Sequence, residues 1–208
     1  PAPTQPFYNL IFSGSGTVEM FSSIIANNFT LGTDVTFRPI TPTQTFTVSG
    51  TATMNGFFGK DGFPQTTATN NNFGALTIAG GGTYYATSGT TNITAGNFTD
   101  NGTMTHNNGT FSVKAGLASL ILGASETAFY DIKSASEGSG VSTFKQYTNK
   151  IVEHDMITGS KELQWQLTAD NVKLTLGTTS YASQIDADYF DGAGAGTQYV
   201  YSASELKP

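Results

Sequence analysis

The residue types able to do chemistry are few and scattered. Asp186, Asp188 and Asp191, in the run DADYFDG, form the one acidic cluster patterned like a metal site. Three carboxylates beside a glycine turn offer the oxygen ligands that Ca²⁺ takes. The spacing is not that of an EF-hand loop and no bidentate Glu follows, so the same run also reads as a solvated acidic turn. Glu153, His154 and Asp155 set an imidazole between two carboxylates, an acid–base grouping. The other histidine, His106, sits in a Thr/Asn turn, and no serine stands in a G-x-S-x-G context, so no triad is read. Tyr84, Tyr85, Trp165, Tyr199 and Tyr201 can stack on sugar rings, or pack in a core or an interface. Five N-x-[ST] sequons, at Asn28, Asn92, Asn97, Asn101 and Asn108, arise readily in a chain this rich in Asn and Thr.

Composition narrows the function classes. Only 12 % of the 208 residues are charged, against about 25 % in an average soluble protein. Hydrophobic content is 38 %, which argues against disorder. The net charge is −6 and Arg38 is the only arginine, so no nucleic-acid partner is expected. With no cysteine there is no disulfide and no thiolate metal site. No apolar run approaches the roughly 18 residues of a membrane-spanning helix, and no membrane insertion is expected. The opening PAPTQPFYNL lacks the charged and apolar regions of a signal peptide, and the chain reads as a portion of a larger gene product. Residues 62–125 carry two charged side chains, Asp100 and Lys114, so carboxylate pairs for a glycosidase cleft are not expected there.

The elements that must position these residues are short and β-like. Shifted by 20, the stretch from Gly80 to Gly116 falls on itself: Gly82-Thr83 on Gly102-Thr103, Gly89-Thr90 on Gly109-Thr110, Ile93 on Val113. Such a period in Gly, Thr and Asn predicts a β-solenoid, a parallel β-helix-like stack with coils of about 20 residues. Ile93, Phe98, Phe111 and Val113 are expected to line its axis, and glycines to supply positive-φ corners, with Asp100-Asn101-Gly102 and Asn107-Asn108-Gly109 as turns. The alternative is an antiparallel β-sandwich or jelly roll, which uses the same short strands and Asn-Gly turns.

Two modules are expected. Residues 1–128 form a β-repeat unit with a loop insertion around 54–75, whose Phe57, Phe58, Phe63 and Phe73 fold over one end of the core. Residues 129–208 open a second related unit, since Phe7-Tyr8-Asn9-Leu10 recurs as Phe129-Tyr130-Asp131-Ile132. A hairpin is predicted over Leu163 to Leu176, turning at Ala169-Asp170-Asn171, followed by a Gly/Ala-rich tail. Leu117 to Leu122 reads as a buried strand or a helical turn.

The runs FYNLIFSGSGTVEMFSSIIANNFTL and SGTTNITAGNFTDNGTMTHNNGTFSVKAG resemble the repeats of long β-rich surface proteins of marine and environmental bacteriophages and of bacterial adhesins. The resemblance covers residues 7–37 and 76–132, and 137–160 weakly. It implies a non-enzymatic structural protein on a virion surface or in the extracellular space: a fibre, tail or capsid-surface module. Its partners would be copies of itself and other virion or appendage subunits. A cell-surface adhesin or matrix fibre binding glycan or itself is the alternative; a polysaccharide depolymerase is a more distant one. No catalytic residue and no cofactor is implied, beyond the Ca²⁺ reading of the acidic run.

Overall fold

The computed structural model describes residues 6–40, 43–59, 70–114, 118–135, 142–146, 150–157, 163–167, 173–176, 179–182 and 198–200. It is an all-β solenoid whose parallel strands stack about 21 residues apart, with no helix among the described residues. The first four coils each carry two strands, equal in length in the first coil and long then short in the next three. They are β1 (Phe7–Phe12) with β2 (Ser15–Met20), β3 (Ile24–Leu31) with β4 (Asp34–Pro39), β5 (Phe46–Met54) with β6 (Phe57–Phe58), and β7 (Asn71–Ile78) with β8 (Thr83–Tyr85). The long strands stack in one sheet and the short ones in a second, in the order β2–β4–β6–β8. The sandwich alternative fails on strand direction: these neighbours are all parallel.

The long strands bend halfway. In β3, Ala26 and Phe29 both face inward with Asn27 and Asn28 between them, and the register to β5 slips at that point. The register from β5 to β7 slips between Val48 and Thr51. A break in strict alternation turns the strand through a corner. One coil later the bend becomes a gap. Asn71–Phe73 of β7 pairs with β9 (Thr90–Ile93), while Leu76–Ile78 pairs with β10 (Phe98–Asp100). Thr94 to Asn97 close the corner, with Thr94 N–H donating to Phe73 O (2.8 Å) and Ala95 N–H to Gly74 O (3.0 Å).

The predicted shift of 20 is the observed register. β11 (Thr103–Thr105) lies on β8 with Thr103 opposite Thr83, and β12 (Thr110–Lys114) lies on β9 with Val113 opposite Ile93. The ladder then runs β12, β14 (Thr127–Ala135), β16 (Lys150–Ile157), β18 (Lys173–Leu176). Beside it run β10, β13 (Ala118–Leu122), β15 (Ser142–Gln146) and β17 (Leu163–Leu167). The 128/129 boundary falls inside β14, which pairs in parallel with both β12 and β16. The short-strand sheet ends at β11, because residues 123–126 turn directly from β13 into β14.

The core is a file of rings down the axis. Val18, Phe37, Phe58, Tyr84 and Met104 share one inward column. Phe37 stacks on Phe58 at 5.1 Å between centroids, and Phe58 meets Tyr84 at 5.4 Å. Opposite them Phe29, Phe46 and Phe73 present edges, and Phe98, Phe111 and Phe129 continue the cluster. Fully burying such a ring contributes about 1.5–3 kcal/mol. A chain without disulfides is therefore held by this file and by its ladders. Ile93, Phe98, Phe111 and Val113 line the axis as the sequence predicts.

Three expectations are corrected. Leu163–Leu167 and Lys173–Leu176 do not form a hairpin. β17 pairs with β15 and with β20 (Gln198–Val200), and β18 pairs with β16 and with β19 (Thr179–Ala182). Alternation marks a strand but not its neighbour. Phe58 and Phe73 are not on a loop over the core end; they are inward residues of β6 and β7 in mid-stack, while Phe63 lies outside the described residues. The repeat glycines are also needed for a different reason. Gly82, Gly102 and Gly109 have no positive φ; a Cβ on them would lie 2.1 Å from Met54 O, 2.3 Å from Gly82 O and 2.0 Å from Thr87 O. Close approach of one coil to the next selects glycine there, whereas Asn107 (φ 47°) and Asn108 (φ 56°) take the left-handed turn.

Candidate assembly edge

The first rung differs from every rung inside the stack. β1 pairs with β3 alone and β2 with β4 alone among the described strands, so one edge of each is open. Phe7 occupies an inward column that continues through Ala26, Val48, Phe73, Ile93 and Val113. Those five are 0–2 % exposed, whereas Phe7 is 47 % exposed, because no described strand lies over it. Leu10, Phe12 and Val18 are only partly buried at the same end. Outward, Tyr8 is 76 % and Ile11 63 % exposed, and Phe21 beyond β2 is 72 % exposed.

Of the six exposed large hydrophobics among the described residues, five lie within residues 7–25; the sixth is Phe57 on β6. The rung below shows what an interior coil does at these places. Ile11 heads an outward file of Thr30, Thr53, Thr77 and Thr99. Threonine suits a solvated sheet face, and isoleucine at its head breaks the pattern. Edge strands are commonly blunted by lysine or proline, and β1 (FYNLIF) has neither. Glu19 is the one charged residue on β1 and β2, and it is already paired with Arg38 at 3.4 Å.

A second cluster gathers residues that the sequence leaves apart. His106 Nε2 lies 3.2 Å from Glu153 Oε2, and the imidazole stacks on Tyr130 at 5.6 Å. His106 Nδ1 accepts the Asn108 N–H at 3.0 Å. With Nδ1 taken up there, Nε2 is the ring nitrogen that faces Glu153. Both ring nitrogens have partners, so the imidazole works as a clamp between the Asn107-Asn108 corner and β16.

The other sequence-predicted site residues separate. Tyr84 is corrected: its ring is fully buried in the Phe58 column and offers no face to a sugar. Its hydroxyl lies 2.8 Å from Thr91 Oγ1 and accepts from Asn71 Nδ2 at 3.0 Å. Burial pushes its pKa up to about 12, against the pull of those two hydrogen bonds. Tyr85, its neighbour, is half-buried on the outer face. Trp165 falls on β17 opposite Phe144 and Val200, and Tyr199 on β20 opposite Gln166. Tyr201, Asp186, Asp188 and Asp191 lie outside the described residues. The open edge has a faint signal in the sequence: Phe7-Tyr8-Asn9-Leu10 matches Phe129-Tyr130-Asp131-Ile132, and Phe129 and Ile132 are wholly buried beneath the neighbouring coil. No protein-family model, curated protein or solved structure matches the chain.

Proposed function

We propose that this chain is a non-enzymatic structural module of a virion or extracellular appendage, such as a phage fibre, tail or capsid-surface protein, that assembles through its β-edges. The observation that carries the reading is the concentration of Phe7, Tyr8, Ile11, Phe21 and Ile25 at the open end of the stack. Exposed large apolar side chains gathered at one end of a structure mark an interaction site. An unblunted edge strand beneath it offers ladder hydrogen bonds to a partner. The engagement of both His106 nitrogens also supports a structural role for the most conspicuous titratable cluster.

The test is sedimentation and negative-stain imaging of the purified chain over a range of concentrations, together with a panel of polysaccharides. Concentration-dependent stacked particles, with no polysaccharide turnover, are expected. Turnover that disappears when a carboxylate pair is mutated would overturn the reading, as would a monomer at every concentration.

A further inference from the structure

The corner from His106 to Gly109 is held by contacts that acid sets against each other. We propose that His106 is an acid-operated latch. Protonation of its imidazole releases the Asn108 turn, shifts the ring's hold to Glu153 on β16, and opens the crevice beneath β11. The proposal is independent of the assembly reading above.

One ring serves two neighbours that respond oppositely to a proton. His106 Nδ1 accepts the Asn108 N–H at 3.0 Å, and a ring nitrogen accepts only through a free lone pair. His106 Nε2 lies 3.2 Å from Glu153 Oε2, a contact that a charge on the ring turns into an ion pair. Imidazole is the side chain that gains its proton as pH falls from about 8 to about 5. The added proton turns Nδ1 from an acceptor into a donor. Two N–H groups then face each other across the turn, while the carboxylate on the other side attracts. The His106 side chain is 18 % exposed, so solvent reaches the ring.

The corner is built to give way locally. Asn108 stands at φ 56° beside Asn107 at φ 47°, a backbone region that residues with a side chain enter at a cost. Loss of the Nδ1 acceptor removes one of the bonds that hold Asn108 there. The bonds from Asn107 Nδ2 to Ala86 O (2.6 Å) and from Gly109 N–H to His106 O (2.9 Å) do not involve the imidazole, so β11 and β12 stay in place. Behind the ring lies a narrow apolar crevice walled by Ala86, Met104, Phe111 and Phe129, with His106 and Tyr130 at its rim. Movement of the ring toward Glu153 uncovers it. Tyr130, stacked on the imidazole at 5.6 Å, and Glu153 are the titratable residues in contact with it among the described residues. On β14, Asp131 follows Tyr130 at the same corner, with its N–H 3.4 Å from Gly109 O, and Lys133 lies two residues further. On β16, Lys150 precedes Glu153, and His154 and Asp155 follow it. β8 contributes Tyr84 and Tyr85, β12 has Lys114 at its far end, and β9 and β11 carry no titratable residue.

The test follows the intact chain by hydrogen exchange at pH about 8 and about 5, each amide being referred to its own intrinsic rate. A His154→Gln background leaves His106 as the only histidine. Protection at Asn108 should fall about tenfold at the lower pH, the equivalent of one ordinary hydrogen bond. Peroxide oxidation of Met104 should rise severalfold with it, while Met20 and Met54, 0–2 % exposed, stay slow. His106→Asn sets an acceptor oxygen near the place of Nδ1 and does not titrate, so both readouts should then be the same at the two pH values. His106→Ala should leave Asn108 unprotected at both. Glu153→Gln keeps the turn, so it should retain the loss at Asn108 but lose most of the rise at Met104, because the ring is no longer drawn away. Equal protection of Asn108 at the two pH values in the parent, or the same loss in His106→Asn, overturns the proposal. A loss at Asn108 with no rise at Met104 also overturns it, because the ring then stays over the crevice.

Discussion

Asp100 Oδ2 accepts a hydrogen bond of 2.9 Å from Thr127 Oγ1, and each residue is only 1 % exposed. The pair joins the end of β10 to the start of β14, where the coil changes shape. Leu31, Met54 and Ile78 fill the inward column above Asp100. The column turns polar at Asp100 because the short-strand sheet stops at β11 and backbone takes its place. Asp100 Oδ1 accepts the Gly102 N–H at 3.0 Å, and Asp100 O accepts the Ser125 N–H at 3.1 Å. The carboxyl group thus holds together the turns that carry the chain past the missing strand.

Thr127→Val keeps the shape of that side chain and removes its donor. A buried carboxyl oxygen then loses a partner, at a cost of about 1–3 kcal/mol. Thr127→Ser keeps the hydroxyl and loses one methyl group, costing about 1 kcal/mol. Urea denaturation of the two variants and the parent should therefore rank Val below Ser below wild type. A Val midpoint equal to that of wild type, above Ser, would show that the hydrogen bond contributes nothing.

Gly74 lies at the corner of β7, and a Cβ on it would sit 2.1 Å from Ser49 O and 2.4 Å from Gly50 O. Both obstacles are backbone of the neighbouring coil, so no side chain can swing aside. Gly74→Ala should cost about 3 kcal/mol or more, the upper end of overpacking effects. Gly80 is the control, with its nearest neighbour at 3.9 Å and no positive φ. Gly80→Ala should be neutral, or stabilising by a few tenths of a kcal/mol through the unfolded chain. Similar melting temperatures for the two alanine variants would mean that the corner relaxes.

That corner also shows what sequence could and could not reveal. Between β8–β9 and β11–β12 the coils match without insertion, so Thr83–Thr103 and Ile93–Val113 are legible as a shift of 20. Elsewhere the register varies from 19 residues (Phe7 to Ala26) to 26 (Phe58 to Tyr84), and an inward column such as Ala26, Val48, Phe73 shares apolarity but no residue type. A fixed-period comparison is blind to both. Tyr84 was readable as a strand residue but not as an inward one, because the three residues of β8 are too few to set a phase. The His106–Glu153 contact spans 47 positions and crosses a register slip between Phe129 and Asp131, so no spacing rule leads to it.

That contact carries a ranking. Glu153 is half-exposed, so its pairing with His106 is screened, and Glu153→Gln should change stability by about 1 kcal/mol or less. His106 does more, because its Nδ1 receives the N–H of Asn108, a residue held at φ 56°. His106→Ala removes that acceptor and the stack on Tyr130 together, and should cost more than Glu153→Ala. Thermal unfolding of the two alanine variants decides between them. A larger loss for Glu153→Ala would make the His106–Glu153 contact, not the turn, the function of the cluster.

Tyr84 gives the fold a calculable sensitivity to alkali. Its pKa rises from 10.0 to about 12 in the folded chain because ionisation would place a phenolate in the ring file beside Phe58. The stabilisation linked to this shift is fully present below pH 10. Between pH 10 and about 12 the unfolded chain has released the proton while the folded chain still holds it, so stability falls as pH rises. A shift of roughly two pH units corresponds to a loss on the order of 3 kcal/mol across that window. Tyr84→Phe should lose that portion of the slope. Its stability at neutral pH should fall by about 1–2 kcal/mol, because Asn71 Nδ2 and Thr91 Oγ1 are left without their shared partner. Tyrosinate absorbance gives the direct readout: one of the nine tyrosines should remain protonated until about pH 12 or until the chain unfolds. If all nine ionise near pH 10 while the chain stays folded, Tyr84 is not sealed in the core, and the axial ring file is wrong at its centre.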